Sequence, residues 1–201
     1  MVDPYRIDVT QQELVEITER NLLEQYDALE GFFSTWQKSG KPFELTEQLI
    51  LELNRIAVKG LRRDAGQYRV YDIGIDNSVH QPPSPDKVPE LVAKLCHYVN
   101  ERQNEDPFHL AAYVMWGINW VHPFGDGNGR TARALSYLVL CIGLGFYLPG
   151  TNIIPAQIEQ NRSDYYQCLD VADEQCMKGI LDVRQMELLL QQMLRRQLAD
   201  I

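Results

Sequence analysis

The sequence predicts an all-α fold, a helical bundle with one small β-hairpin flap. Three observations lead there. Most of the chain repeats apolar residues at helical spacing, and Pro-, Gly- and Asn-bearing punctuation separates those stretches. Only residues 66–75 alternate β-branched and aromatic side chains with polar ones. A chain of 201 residues is long enough for one well-buried domain and short for two. The expected organisation is a single domain over residues 1–201, with 1–40 as an N-terminal helical extension and 41–201 as the core.

The elements follow in order. Thr10 with Glu13 makes a capping box, and Leu14, Ile17, Leu22, Leu29, Phe32, Phe33 and Trp36 fall near one stripe, so a helix is expected from Thr10 to Trp36. Glu16, Glu19, Arg20, Glu24 and Asp27 occupy its other side, and Ser39-Gly40-Lys41-Pro42 should end it. Leu45, Leu49, Leu53, Ile56 and Ala57 predict a second amphipathic helix over Leu45 to Leu61. From Gly66 to Ile75 the residues Tyr68, Val70, Tyr71, Ile73 and Ile75 favour strands, with Tyr68 and Val70 on one side and Arg69 on the other. Asp76-Asn77-Ser78 bounds that segment, and Gln81-Pro82-Pro83-Ser84-Pro85 is too proline-rich for regular structure. Ser84-Pro85 then starts a helix that ends near Asn104, and Asp106-Pro107 starts another from Phe108 to about Trp120. The most apolar stretch, Ala134 to Leu148, spans fifteen residues, fewer than the roughly twenty that cross a bilayer, and reads as a buried core helix. Asn161 to Val171 and Asp182 to Ala199 complete the set.

A hydrophobic fraction of 45% and a charged fraction of 23% describe an ordinary globular protein. The net charge of -9 argues against nucleic acid or a membrane surface as partner, since both require a basic face. One local cluster of arginines can still hold a nucleotide. The cysteines Cys96, Cys141, Cys168 and Cys176 have no C-x-x-C spacing, which points away from zinc and disulfides and toward a reducing, cytoplasmic compartment. Phe32, Phe33 and Trp36 are placed to bury either against the core or against a second copy in a homo-oligomer.

Chemistry concentrates in His122-Pro-Phe-Gly-Asp-Gly-Asn-Gly-Arg-Thr-Ala-Arg133. His122 precedes a proline, which pushes it out of helical geometry and ends a helix there. Gly125, Gly127 and Gly129 let the backbone turn tightly and approach a ligand. The helical pattern then resumes, so free N–H groups and the positive end of a helix dipole face the turn and form an anion site. Arg130 and Arg133, three apart, share a face of that helix, and guanidinium groups match phosphate oxygens. Asp126 supplies a hard oxygen for Mg²⁺, which commonly binds one or two carboxylates plus substrate phosphates. His122, with a reference pKa of about 6.5, offers a neutral imidazole to take a proton from an attacking hydroxyl. Taken singly, each residue has an ordinary structural reading: a helix-end histidine, an Asp-Gly turn, solvated arginines. Arginines in a first helical turn oppose the dipole, however, and a bound anion makes sense of them.

This loop resembles, without departure, the HPFx[DE]GNGRxxR motif of the Fic family. The resemblance extends from roughly Leu45 to Leu190, including the flap and Asn161-Arg-Ser-Asp-Tyr-Tyr166. It implies a Fic-type bundle and a protein adenylyltransferase that moves AMP from ATP to a Ser, Thr or Tyr hydroxyl of a target protein, which could be the chain itself. By the same resemblance His122 is the general base and Phe124 plugs the loop into the core. Asp126 binds Mg²⁺, and Gly127, Asn128 and Gly129 form the anion pocket. Arg130 and Arg133 hold the distal phosphates. The flap residues Val70, Tyr71, Asp72, Ile73, Gly74 and Ile75 dock the target segment by strand addition.

Many relatives inhibit themselves through a helix whose [ST]xxxE[GN] motif sets a glutamate on the second motif arginine. The counterpart in this chain is Glu30-Gly31, with Tyr26 where Ser or Thr is expected, and it implies a Glu30–Arg133 pair. Three other readings compete. A kinase branch carries Lys where Gly129 stands, and some self-inhibited members also remove AMP. A silent binding module would need neither His122 nor both arginines. A P-loop ATPase is excluded because G-x-x-x-x-G-K-[ST] is missing.

Overall fold

The computed structural model describes residues 3–75 and 78–199. Their helices are α1 (Gln11–Ser39), α2 (Glu47–Ala57), α3 (Val88–Glu101), α4 (Pro107–Val121), α5 (Asn128–Leu144), α6 (Ile154–Gln160), α7 (Ser163–Met177) and α8 (Arg184–Ala199). The fold is all-α, as the periodicity predicts. At the centre lies α5, buried on every side from Thr131 to Cys141 and packed most extensively on α4. Helices α2 and α1 cover one flank of α5, while α8 and α7 cover α4. No helix among the described residues is long and apolar enough to cross a membrane.

Local chemistry sets the helix ends. The Thr10 hydroxyl accepts from Glu13 N at 3.2 Å, and the Glu13 carboxylate accepts from Thr10 N at 2.8 Å, which completes the capping box. Gly40 at φ 63° ends α1. The second helix is shorter than its apolar pattern: it stops at Ala57, and the chain turns through Gly60 at φ 77° before Leu61. The helix read as starting near Ser84 is a single 3₁₀ turn at Pro85–Lys87 followed by α3. The short α6 was not legible beforehand, because Pro155 in its first turn reads as a break unless it falls at the permitted start.

The flap differs from expectation. Residues 68–75 carry no regular secondary structure and bend at Val70 and Tyr71, and the described residues contain no strand ladder, only an isolated antiparallel bridge between Arg6 and Arg62. A returning limb that carries Pro82 and Pro83 lacks the donors a second strand needs, and a lone hairpin is marginal in any case. Of the two sides that the expected alternation sets against each other, that of Arg69 is the buried one: Arg69 is 2% exposed and Val70 75% exposed.

The buried face of α1 is partly polar. Asn21 Nδ2 donates to the carbonyl of Lys59 at 2.7 Å, and Gln25 Nε2 donates to that of Leu53 at 2.9 Å. These amides satisfy acceptors in and just beyond the last turns of α2, so they fasten α1 over the helix that borders the functional loop. Leu29, Phe33 and the half-buried Phe32 and Trp36 supply the apolar remainder. An Asn21→Ala chain is expected to lose about 1 kcal/mol, because the partly buried Lys59 carbonyl loses its donor. Calorimetry should show the Tm falling by roughly 2–4 °C for each kcal/mol lost in a chain of this size. A Gln12→Ala control on the exposed face of α1 should leave Tm unchanged; equal Tm values for both variants would count against the fastening role.

Candidate active site

Helix α4 ends at Val121, and His122 caps it in the left-handed region at φ 49° and ψ 58°. It is the one non-glycine residue with positive φ among the described residues. That conformation costs a β-carbon-bearing residue about 1–2 kcal/mol, so neighbouring contacts must hold it. The chain then turns through Pro123 to Gly127 and enters α5 at Asn128. Gly127, the N-cap, sits at φ 79°, and a Cβ there would come within 2.6 Å of Val58 Cγ1. At Gly125 a Cβ would strike the Tyr71 hydroxyl and the Arg62 guanidinium. Close approach requires glycine at both positions, and at Gly127 the positive φ requires it as well.

Phe124 is 1% exposed and its ring packs on Tyr68 with centroids 5.9 Å apart, the anchoring position expected for it. Asn128 does something composition does not reveal. Its Oδ1 accepts from Phe124 N at 2.9 Å and its Nδ2 donates to Phe124 O at 2.8 Å. The side chain is therefore committed to closing the loop, and what Asn128 can offer an anion is its backbone N–H at the start of α5. Asn54 braces the outside: its Nδ2 donates to Asp126 O at 2.9 Å and its Oδ1 accepts from Gly66 N at 3.1 Å. No sequence signal marks Asn54, a buried polar residue on an otherwise ordinary amphipathic helix.

A cleft of about 600 Å³ opens over this loop, a volume typical of sites for nucleotide-sized molecules. His122, Asp126, Gly127, Asn128, Gly129, Arg130 and Arg133 all line it, together with Ile75 of the flap. So the structure brings the predicted loop residues to one cavity. Asn119 and the buried Tyr165, joined by a hydrogen bond of 2.7 Å, form its back wall. Leu14, Thr18, Glu19 and Leu22 of α1 form its opposite rim. Of the flap residues, Val70, Asp72 and Gly74 are exposed, while Tyr71 stacks on Tyr5 and accepts from Arg62 Nη2 at 2.8 Å.

The charges inside are paired. Arg130 donates to Ala57 O at 2.8 Å and contacts Asp126 Oδ1 at 3.0 Å. Both contacts of the half-exposed Asp126 carboxylate, from Arg130 and from Gly127 N, fall on Oδ1. Arg133 is buried, which works against its charge, and its carboxylate partner is Glu159 of α6 at 2.5 Å. Arg162 pairs with the other oxygen of Glu159. The Glu30–Arg133 pair expected from the resemblance is thus not formed. Glu30 lies on the exposed face of α1, and the residue of α1 beside Arg133 is Tyr26, one turn earlier. The cause is rotational and axial register: Asn21, Gln25 and Leu29 face inward and turn Glu30 out.

Burial first, with the Arg69 cation and His80 adding to it, lowers the His122 imidazole to a pKa of about 4. Its Nδ1 lies 3.3 Å from the carbonyl of Asn119, which can only accept, so Nδ1 carries the proton and Nε2 keeps its lone pair. The ring is a neutral base throughout the physiological range. Free imidazole titrates near 6.5, so the unfolded chain binds more protons between about 4 and 6.5, and stability falls as pH drops through that window. A histidine titration by NMR on the ligand-free protein, with His122→Ala to assign the signal, should give a midpoint near 4. A midpoint near 6.5 would mean a solvated ring.

The N-terminus of α5, two guanidinium groups and an imidazole thus line one cleft. The Fic/DOC family profile matches residues 44–140. A protein adenylyltransferase Fic of Drosophila grimshawi is 34% identical over 135 residues, which cover 65% of this chain and 26% of that protein. Among solved structures, a Fic family protein from Desulfovibrio desulfuricans G20 superposes with a TM-score of 0.70 at 30% identity, over 96% of this chain and 55% of the other. Fic-1 (residues 134–508) from C. elegans gives 0.68 at 26% identity, over 99% and 54%. The chain belongs to the Fic family, and it spans about a quarter of the length of the curated relatives it matches.

Proposed function

We propose that this chain is a single-domain protein adenylyltransferase, transferring AMP from ATP to a Ser, Thr or Tyr hydroxyl. The observation that carries this reading is His122 beside the N-terminus of α5 in one cleft, with Nδ1 turned to the Asn119 carbonyl. The target oxygen attacks the α-phosphorus of ATP. As the new O–P bond forms, the bond to the β-phosphate oxygen breaks and pyrophosphate leaves, while the hydroxyl proton passes to His122 Nε2. Base assistance of this kind contributes about 10²–10⁴-fold. Backbone N–H groups of Asn128 and Gly129, with Arg130 and Arg133, would bind the phosphates, while the Gly127 N–H holds the Asp126 carboxylate at the pocket's edge. A side chain at Gly129 would press on Arg133 Nη1 at 3.2 Å, so glycine keeps that guanidinium open to a full triphosphate.

Mg²⁺ fits the donor set. Asp126 offers one half-exposed carboxylate whose Oδ2 is left for a cation. The described residues hold no cluster of three acidic, His or Cys side chains. The ion would therefore draw its other ligands from ATP phosphates and water, its usual habit, and would neutralise charge on the leaving pyrophosphate. The target segment would add to the flap, where the backbone from Val70 to Ile75 has no ladder partner among the described residues. Its side chains would be read little, and a second copy of this chain is one candidate target.

In the same reading the chain is self-restrained, since ATP must displace Glu159 from Arg133. Helix α1 closes the rim, and Glu30 would reach Arg133 only from a second seating of α1 one turn along. With [α-³²P]ATP and Mg²⁺, wild type should label itself and His122→Ala should not. Freeing Arg133 by Glu159→Gln removes a partly exposed ion pair and should raise labelling about five- to tenfold. Glu30→Gly alone should change it little. Label from [γ-³²P]ATP in place of [α-³²P]ATP would overturn AMP transfer in favour of phosphate transfer. A larger rise from Glu30→Gly than from Glu159→Gln would show that α1 shifts.

A further inference from the structure

Arg69 is 2% exposed and ranks among the largest fully buried side chains, yet it forms no ion pair among the described residues. Its donors go to backbone carbonyls. Nε donates to His122 O at 2.7 Å, Nη1 to Tyr71 O at 3.0 Å, and Nη2 to Pro83 O at 2.5 Å and Val121 O at 3.4 Å. Its own N–H donates to Pro123 O at 2.9 Å. A buried guanidinium is costly unless every donor is used, and here the acceptors replace the missing carboxylate.

The three segments it joins matter more than the number of bonds. Val121 is the last residue of α4 and His122 its cap, and their carbonyls have no partner inside the helix and lie at the negative end of its dipole. Tyr71 lies on the outgoing limb of the flap and Pro83 on the returning limb. His80 adds a second tie from the returning limb, with Nε2 on Trp120 O at 2.7 Å. The planar fork of arginine reaches these directions at once; a lysine ammonium is a compact charge on a flexible stem.

Resting on the adenylyltransferase reading above, we propose that Arg69 is a positioning residue for both reactants: it holds His122 in its left-handed conformation and sets the flap, with any hydroxyl docked on it, at a fixed distance from the His122 ring. It touches neither nucleotide nor target. The nucleotide phosphates would lie on the α5 side of the loop, which Asn128 and Asn54 brace independently. Loss of Arg69 should therefore spare ATP binding and impair transfer.

The test compares wild type, Arg69→Lys and Arg69→Ala for Mg²⁺·ATP affinity by calorimetry, self-labelling rate from [α-³²P]ATP, and the His122 titration by NMR. Arg69→Ala should keep ATP affinity within about threefold while labelling falls about 10²-fold, the scale for a misplacement near 1 Å. Guanidinium ion, added far below denaturing concentrations, should restore at least part of that rate by filling the vacated site, and Arg69→Lys should stay impaired. Removing the cation should move the His122 midpoint up from near 4. Equal losses of affinity and rate, full activity in Arg69→Lys, or absence of rescue with an unmoved midpoint would each overturn the proposal. If Arg69→Ala does not fold, the same split between rate and affinity is read in Arg69→Lys. If wild type itself transfers no AMP, the functional reading fails, and the His122 signals of the two variants still decide the role of Arg69: unchanged chemical shifts and midpoint overturn it.

Discussion

Asn128 holds the backbone of Phe124 from both sides, accepting from its N–H and donating to its carbonyl. Those two hydrogen bonds close the glycine-rich link between α4 and α5 into a fixed ring. The placement of the site depends on them. With the ring closed, Phe124 is driven into the core and Gly127 must adopt positive φ. The first N–H groups of α5 then point into the cleft instead of being folded over by their own chain. Glycines alone would make the loop permissive, and permissiveness is the opposite of what anion recognition needs. Rigidity comes from an amide that both donates to and accepts from one residue's backbone, in an interior where such bonds are strong and unpaired groups costly.

The same device recurs wherever the bundle borders the site. Asn54 ties Asp126 and Gly66, Asn21 and Gln25 tie α1 to the end of α2, and Arg69 ties the flap to the end of α4. Farther away Gln197 joins Tyr137, Pro149 and Ile154. Apolar packing of α4 on α5 decides that the helices assemble, but it is nearly indifferent to small slides along their axes. Buried amides and a guanidinium, each satisfied only in one register, remove that freedom.

Much of this was legible beforehand, for reasons that can be named. Helices with strong caps were found close to their true bounds, because Thr10 with Glu13 and Asp106 with Pro107 act locally. The loop from His122 to Arg133 was legible because its glycines, acid and arginines are contiguous, and His122, Asp126, Gly127, Gly129, Arg130 and Arg133 line one cleft. What sequence reading missed was long-range. Arg69 read only as the other side of a strand alternation, because alternation cannot see acceptor carbonyls at the end of α4 about fifty residues on. Asn54, Asn21 and Gln25 looked like polar faces of amphipathic helices. Glu30 was misplaced relative to Arg133 because a motif fixes order along the chain and not the rotation of a 29-residue helix.

Arg133 shows why that rotation has consequences. A buried guanidinium left without a counter-charge would be costly, so an anion cradle in a ligand-free protein needs some substitute for the phosphate it awaits. Glu159 fills that role from α6, whose own position is set by Gln157 on Met193 O and by Gln197 on Ile154 N. The substitute must be good enough to support the fold and poor enough to yield. Glu159 meets both conditions: its carboxylate is 39% exposed, shared with Arg162, and on a helix of only seven residues. A triphosphate brings more negative charge to the same guanidinium while α5 keeps its place. Restraint and recognition therefore compete for Arg133, and the energetic difference between those two anions, more than any movement of the rigid loop, sets how readily the cleft fills.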